Sequence, residues 1–281
     1  MNGTGIIPTM FTLITRTHGQ RAHLLCRAGE TILKQTYPTI EWIVVEDGSA
    51  LAAEVLASFP QRAGLTIKHF PIAKAGRSVA ANVGLDAARG EFVGFLDDDD
   101  ELFPNHVETL VNLLNKYPSA AGAYAAAVQT HLHLDGSIHS EQIFLRAISK
   151  STRLIFENLF PIQAVAFRSR YRQRQQFDTN LDALEDWLFW LQLFIERKIV
   201  WTPTVTSRFY MPLVGSAIQD QRSQEHTDAY AYFSLQREGL FQERERRDVR
   251  AIWDGYMLRT SSLLLEALYD PEVVNSTQDH R

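Results

Sequence analysis

The chain has 281 residues, 45% of them apolar and 22% charged, with a formal net charge of −5, enough apolar chain to bury a full core in one large domain or in one domain with an extension. The basic residues are dispersed, which argues against a protein that tracks a nucleic-acid backbone. Cys26 is the single cysteine, which excludes an intramolecular disulfide and suits a reducing compartment; with no signal-peptide pattern and no run near the roughly 18 apolar residues that span a bilayer, the expectation is a cytoplasmic protein without a transmembrane segment.

In chain order, residues 10–15 read as a first strand that ends at Arg16-Thr17-His18-Gly19. Residues 20–35 read as a helix with Leu24, Leu25, Ala28, Ile32 and Leu33 on its apolar face, stopped by Tyr37-Pro38. Residues 40–45 form a second strand of buried type, running into Glu46-Asp47-Gly48-Ser49, a turn that delivers a carboxylate at the strand's C-terminal end. A short helix over 50–58, a third strand over 65–70 and an alanine-rich helix over 76–88 follow, the last containing Asn82 and Gly84. A fourth, apolar strand from Glu91 carries straight into Asp97-Asp98-Asp99-Asp100-Glu101, and Pro104 marks the start of a helix over 104–116.

This alternation predicts βαβ units and a mostly parallel sheet, with ligands at the carboxyl ends of the strands. Arg16, Asp47 and Asp97–Asp100 all fall on that edge. Carboxylates packed this closely raise one another's pKa unless cations or hydrogen-bond donors offset them. The run reads either as a solvated cap on the following helix or as a site for Mg²⁺ or Mn²⁺ bound together with a ligand's phosphates. Gly3 and Gly5 precede the first strand, so the dinucleotide-binding context fails, and the phosphate-binding Gly-Lys-Ser/Thr loop, the Gly-x-Ser-x-Gly elbow and the His-Glu-x-x-His helix are absent.

Residues 121–134 read as a long strand or strand pair, with Asp135-Gly136 as a turn; His131, His133 and His139 read as zinc ligands or as exposed strand residues. Residues 141–160 resist assignment and suggest an acceptor-side or lid region, and a strand resumes over 163–167. The basic residues Arg168, Arg170, Arg172 and Arg174 then read as a solvated turn or a phosphate contact. Trp187, Trp190, Leu191 and Phe194 mark a helix with an aromatic face, and Glu185 and Asp186 sit at its first turn, either as a cap or with one carboxylate pointed into the cleft as a general base.

The pieces Leu13-Ile-Thr-Arg-Thr17, Gln35-Thr-Tyr-Pro38, Val44-Val-Glu-Asp-Gly-Ser49, Ala80-Ala-Asn-Val-Gly84, Ala88 to Asp100 and Glu185-Asp186-Trp187, in this order over about residues 10–210, make the chain resemble a family 2 glycosyltransferase of the GT-A fold, inverting and non-processive. The resemblance implies that Asp47 binds the nucleotide base, that the Asp97-x-Asp99 pair serves the diphosphate and its metal, and that Asp186 deprotonates the acceptor hydroxyl. It places the metal on Asp99, with Asp97 directly or through water. It assigns Thr15, Arg16, Arg77, Asn82 and Asp98 to the nucleotide pocket, and likens the segment from Arg208 to Ser216 to a loop that closes over the donor. Glu46 stands where the family commonly has Asp, and the Gln-x-x-Arg-Trp motif of processive synthases is missing.

The expected protein is therefore α/β, with a glycosyltransferase domain over 1–218, whose nucleotide-sugar half is about 8–100 and whose acceptor half is 101–218, and a helical extension over 219–281. It uses Mn²⁺ or Mg²⁺ and a UDP-, GDP- or dTDP-linked sugar, acts on a carbohydrate or lipid-linked glycan in bacterial surface polysaccharide or glycoconjugate assembly, and binds no nucleic acid. Contact with the inner face of the membrane and a homodimer through the C-terminal helices are consistent with this reading. The rival readings are a sugar nucleotidyltransferase and a non-catalytic sugar-nucleotide-binding protein of the same ancestry.

Overall fold

The computed structural model describes residues 9–147, 151–155, 157–172, 175–181, 183–212, 233, 234 and 236. The chain divides into two compact units, Met1–Ser234 and Leu235–Arg281, and the sheet belongs to the first. The expected boundary at 218/219 and the helices expected over 219–281, with any dimer they form, lie outside the described residues except for 233, 234 and 236.

Four strands carry the first half of the sheet: β1 (Phe11–Thr17), β2 (Ile40–Asp47), β3 (Leu65–Ile72) and β4 (Phe92–Phe95), joined by helices α1 (Ala22–Leu33), α2 (Ala52–Ser58) and α3 (Arg77–Ala87). They pair in parallel in the order β3-β2-β1-β4. β1 is buried along its whole length and β2 along all but its last residue, because helices cover both faces, and this is why their sequences are nearly continuous apolar runs rather than alternating ones. α1 buries Leu25, Ala28, Gly29 and Ile32, the i, i+3, i+4, i+7 stripe of an amphipathic helix.

A second half turns the sheet mixed. After β4 come β5 (Glu101–Leu102), α4 (His106–Lys116), β6 (Gly122–Leu132), β7 (Ile138–Phe144), β8 (Val165–Arg168), α5 (Glu185–Phe194) and β9 (Ile199–Pro212). Among the described residues the sheet has nine strands, ordered β3-β2-β1-β4-β8-β6-β9-β5, with β7 paired to β6. β8 runs antiparallel to β4 and β6, and β9 runs parallel to β6. The helix expected from Pro104 starts at His106, because Phe103 to Asn105 are spent on a turn in which the His106 N–H donates to the Phe103 carbonyl.

β9 takes in residues 208–212 of the segment expected to close as a loop over the donor. Its register with β6 jumps from Ala125↔Thr202 to Ala126↔Val205, so Pro203 sits in a bulge, where its missing N–H costs no ladder bond. Arg208 lies within β9 and pairs with Glu141 at 3.1 Å and Glu101 at 3.6 Å, which holds the sheet edge together; residues 213–216 lie outside the described residues.

The basic turn is structural as well. Arg168 is buried and donates to the Leu114 carbonyl at 2.8 Å and the Ala120 carbonyl at 3.2 Å while pairing with Glu91, a second bond to the Leu114 carbonyl that also accepts the Tyr117 N–H at the end of α4. Arg170 reaches the Pro118 carbonyl and Arg172 pairs with Asp86; Arg174 is outside the described residues.

α5 is fixed by aromatic packing: Phe177 stacks on Phe189 with ring centroids 4.3 Å apart and meets Phe95 edge-on at 5.3 Å, and Trp190 packs on Phe95, Phe167 and Phe194. The aromatic stripe read from sequence thus anchors the helix to β4 and β8. At the turn before β3, Gly64 has φ +77°, and a Cβ there would lie 2.0 Å from the Pro38 carbonyl oxygen. Gly64→Ala is expected to cost about 1–3 kcal/mol, read as a lower urea midpoint at unchanged slope; an unshifted midpoint would contradict that placement.

Candidate functional site

The carboxyl ends of β1, β2 and β4 and the start of α3 enclose a cavity of about 280 Å³. β1 contributes Arg16 and Thr17, β2 contributes Asp47, α3 contributes Arg77 and Ala80, and the loop after β4 contributes Asp97, Asp98 and Asp99; His18 and Arg21 complete the wall.

Asp97, Asp98 and Asp99 are all held from β1 and the residues that follow it, Asp98 and Asp99 sharing Arg21. Arg16 Nε and Nη2 donate to Asp97 Oδ1 and Oδ2 at 2.8 and 2.6 Å, a two-pronged pair of the strong, charge-assisted kind. Thr17 Oγ1 donates to Asp98 Oδ2 at 2.7 Å, and one nitrogen of Arg21 lies 2.9 Å from Asp98 Oδ1 and 2.5 Å from Asp99 Oδ2. Arg27 holds the Asp99 carbonyl at 2.7 Å. The positive charge that the sequence of carboxylates demanded is therefore supplied by arginines of the first strand and its following helix.

The pKa shifts follow from these contacts. Burial alone would raise Asp97, but the Arg16 guanidinium and its hydrogen bonds overcome it and hold the carboxyl below its ordinary value. Asp98 is pushed up to about 7, first by burial and then by the charges of Asp99 and Asp97, against the pull of Arg21 and Thr17. Asp100 lies well above its ordinary value for the same reasons, burial first.

Asp47 lines the cavity, and its carboxylate accepts the backbone N–H groups of Ala75 and Gly76 at 2.6 and 3.1 Å, so it also fixes the loop that leads into α3. Glu46 beside it is fully buried, accepts from the Leu51 and Ala52 N–H groups at 2.7 and 3.0 Å, and pairs with Ser49 and His69. It serves the N-terminus of α2, where carboxylates are favoured.

Two residues assigned to the pocket wall point elsewhere. Thr15 is fully buried within β1, two residues short of the strand end where Thr17 reaches the cavity, and its hydroxyl accepts from Trp42 Nε1 at 2.9 Å. Asn82 is buried against Phe177, donating to its carbonyl at 2.9 Å and accepting its N–H at 2.7 Å. With Ser78, whose hydroxyl donates to the Leu181 carbonyl at 3.0 Å, it uses α3 to dock the loop that precedes α5.

Arg77, from the same helix, is the link to the other candidate site. Its Nε lies 2.9 Å from Glu185 Oε1, which Arg16 Nη1 also reaches at 3.0 Å. Asp186 is left out of that pairing: Oδ1 accepts the Trp187 N–H at 2.7 Å, and Asn158 Nδ2 stands 3.4 Å from both oxygens. Its carboxyl is pushed up to about 6, first by burial and then by the charge of Glu185, against the charge of Arg77.

The sequence reading missed Arg21, Thr17, Arg27 and the part played by Glu185. The signal for Arg21 was present, since a run of carboxylates needs cations and Arg21 follows the first strand within five residues of Arg16. Among the described residues no group of three or more His, Cys, Asp and Glu side chains converges on a metal position, and His133 and His139 sit ring to ring at 3.3 Å near the tip of the β6–β7 hairpin. A hard divalent ion bound mainly by phosphates needs only one or two carboxylates. Asp99, with 36% of its side chain exposed at the cavity wall, has room for that, and Asp97 is beside it.

The sequence pattern of the family described as "Glycosyl transferase family 2" matches residues 12–171. A Rickettsia bellii protein named "Uncharacterized glycosyltransferase" is 26% identical over 202 residues, 67% of this chain and 28% of that protein. The "Putative colanic acid biosynthesis glycosyl transferase WcaA" of Escherichia coli is 28% identical over 189 residues, 64% of this chain and 65% of that protein. In fold, the chain is similar to the mannosyltransferase PcManGT of Pyrobaculum calidifontis, solved in complex with GDP-Man and Mn²⁺, with a TM-score of 0.58 at 18% identity over 97% of this chain and 84% of that one. The fold is thus of GT-A type, an α/β mixed sheet built on βαβ units.

Proposed function

The chain belongs to glycosyl transferase family 2, and on that premise we propose that it moves a single sugar from a nucleoside-diphosphate sugar to an acceptor hydroxyl with inversion, in the assembly of a polysaccharide or glycoconjugate. The observation that carries the reading is that the family's two kinds of carboxylate stand apart: Asp97–Asp99 line the cavity with Arg16 and Arg77, whereas Asp186 sits half-buried in the first turn of α5 with a raised pKa. Among the described residues no helix is long and apolar enough to cross a membrane.

Arg16 and Arg77 bring positive charge to the wall on which a diphosphate is bound, and Asp47 stands at the end of β2 to meet the base. Asp99 and Asp97 are the residues that would hold a Mg²⁺ or Mn²⁺ ion, which when bound would neutralise charge on the departing nucleoside diphosphate. Asp186 takes the acceptor proton as the acceptor oxygen attacks C1. The C1–O bond to phosphate breaks on the opposite face, and its electron pair leaves on the nucleoside diphosphate. A carboxyl pushed up to about 6 is still ionised at neutral pH and is a better base than an ordinary aspartate.

Asp99→Ala is expected to weaken the divalent-ion enhancement of UDP, GDP or dTDP binding about tenfold or more, measured by calorimetry with Mn²⁺, Mg²⁺ or EDTA. An unchanged metal requirement would contradict the assignment of Asp99.

A further inference from the structure

Glu185 is the first residue of α5 and is 2% exposed, yet both partners of its carboxylate lie outside its own helix. Oε1 is held by Arg16 Nη1 at 3.0 Å and Arg77 Nε at 2.9 Å. Arg16 in turn grips Asp97 with both prongs, and Arg77 Nη2 stands 3.7 Å from the same carboxylate. A chain of alternating charge, Asp97–Arg16–Glu185–Arg77, therefore joins the ends of β4, β1, α5 and α3. Both arginines line the cavity.

The backbone shows how much is spent on holding this turn. Leu184, immediately before, has φ +62°, the one non-glycine positive φ among the described residues. A leucine keeps that conformation only where its surroundings over-determine it. Here they do so from two sides: Leu184 and Trp187 sit in a buried cluster with Leu181 and Phe233, Trp187 packing on Phe233 at 4.3 Å, and the arginines hold the carboxylate of the next residue.

We propose that Glu185 is a positioning residue for the transfer: clamped between Arg16 and Arg77, it sets the first turn of α5 so that Asp186 faces the acceptor, and it ties that turn to the guanidiniums that meet the donor's diphosphate. The proposal rests on the reading of Asp186 as the base. The groups that act on Asp186 come from three places: Glu185 on its own helix, Arg77 on α3, and Asn158 from the segment after the 3-10 turn Ser151–Ile155. Glu185 opposes the Asp186 charge and Arg77 favours it, so removing each has an opposite consequence.

The test is the pH dependence of donor turnover in Glu185→Gln and Arg77→Gln. Glu185→Gln keeps an oxygen for both guanidiniums but loses the charge; it is expected to lower kcat about tenfold and to move the acidic limb of the profile down by about half a pH unit or more. Arg77→Gln is expected to move the same limb up. The double variant Glu185→Gln/Asp186→Asn is expected to be no more than about twofold slower than Asp186→Asn, because both changes act through one group. If the limb stays fixed in both single variants, or if the double variant loses the full product of the single effects, Glu185 only stabilises the fold and the proposal is overturned. A wild-type rate for Asp186→Asn would instead overturn the reading of the base itself, so the two failures are distinguishable.

Discussion

Asp186→Asn is expected to slow sugar transfer by about two orders of magnitude or more while leaving nucleotide-sugar binding nearly unchanged. The substitution keeps the shape of the side chain and its bond from the Trp187 N–H, and removes only the capacity to take a proton. With Asp186 as the base, working in its ionised form, and its pKa raised to about 6 by burial and the charge of Glu185, wild-type kcat is expected to fall about tenfold per pH unit below that value and to be level above it. In Asp186→Asn the residual rate loses this limb. Single-turnover rates from pH 5 to 8, with donor affinity measured alongside, check both statements; near-wild-type transfer by the variant, or a limb that survives in it, would remove Asp186 from the mechanism.

Arg16→Met destabilises the folded chain by about 3–5 kcal/mol, the usual cost of leaving buried charges without their partner. Burial works against the charge on Arg16, but Asp97 and Glu185 more than offset it and raise the guanidinium above its ordinary value. Without it, Asp97 keeps only Arg77 at 3.7 Å and Glu185 keeps Arg77 alone. Arg16→Lys does not restore the site, since one ammonium cannot grip both Asp97 oxygens and reach Glu185. The pH dependence has a definite sign: the folded Asp97 lies below its ordinary value, so its contribution is whole above about pH 4 and is lost as pH falls through the folded value. Denaturant titrations at pH 7 and pH 3 read this directly. A loss of under 1 kcal/mol at pH 7 would mean the pair is solvated and not a buried clamp.

Much of the first half of the sheet was legible in the sequence because its signals are local. β1 and β2 are continuous apolar runs because both faces are covered, and α1 shows its stripe within a dozen residues. The acidic run after β4 announced a strand end that something positive must face. The identity of that partner was not legible, since Arg16 lies 81 residues upstream of Asp97, and proximity across a sheet leaves no mark in either segment. The contact of Thr15 with Trp42 joins residues 27 apart on neighbouring strands, which a resemblance to a family motif does not register. The bonds of Asn82 were not legible because its partner is a main-chain group 95 residues away. β9 was hidden by Pro203, which sits in a bulge where proline is tolerated, and β5 is two residues long within the acidic segment. Insertion of the antiparallel β8 between β4 and β6 turned a sheet that reads as parallel into a mixed one.

The most direct measurement is nucleoside-diphosphate release from UDP-, GDP- and dTDP-linked sugars by the full chain, with Mn²⁺, Mg²⁺ or EDTA, beside Asp186→Asn. Release from one donor class that requires the divalent ion and falls sharply in the variant is expected. Release that ignores EDTA and is the same in Asp186→Asn would contradict it.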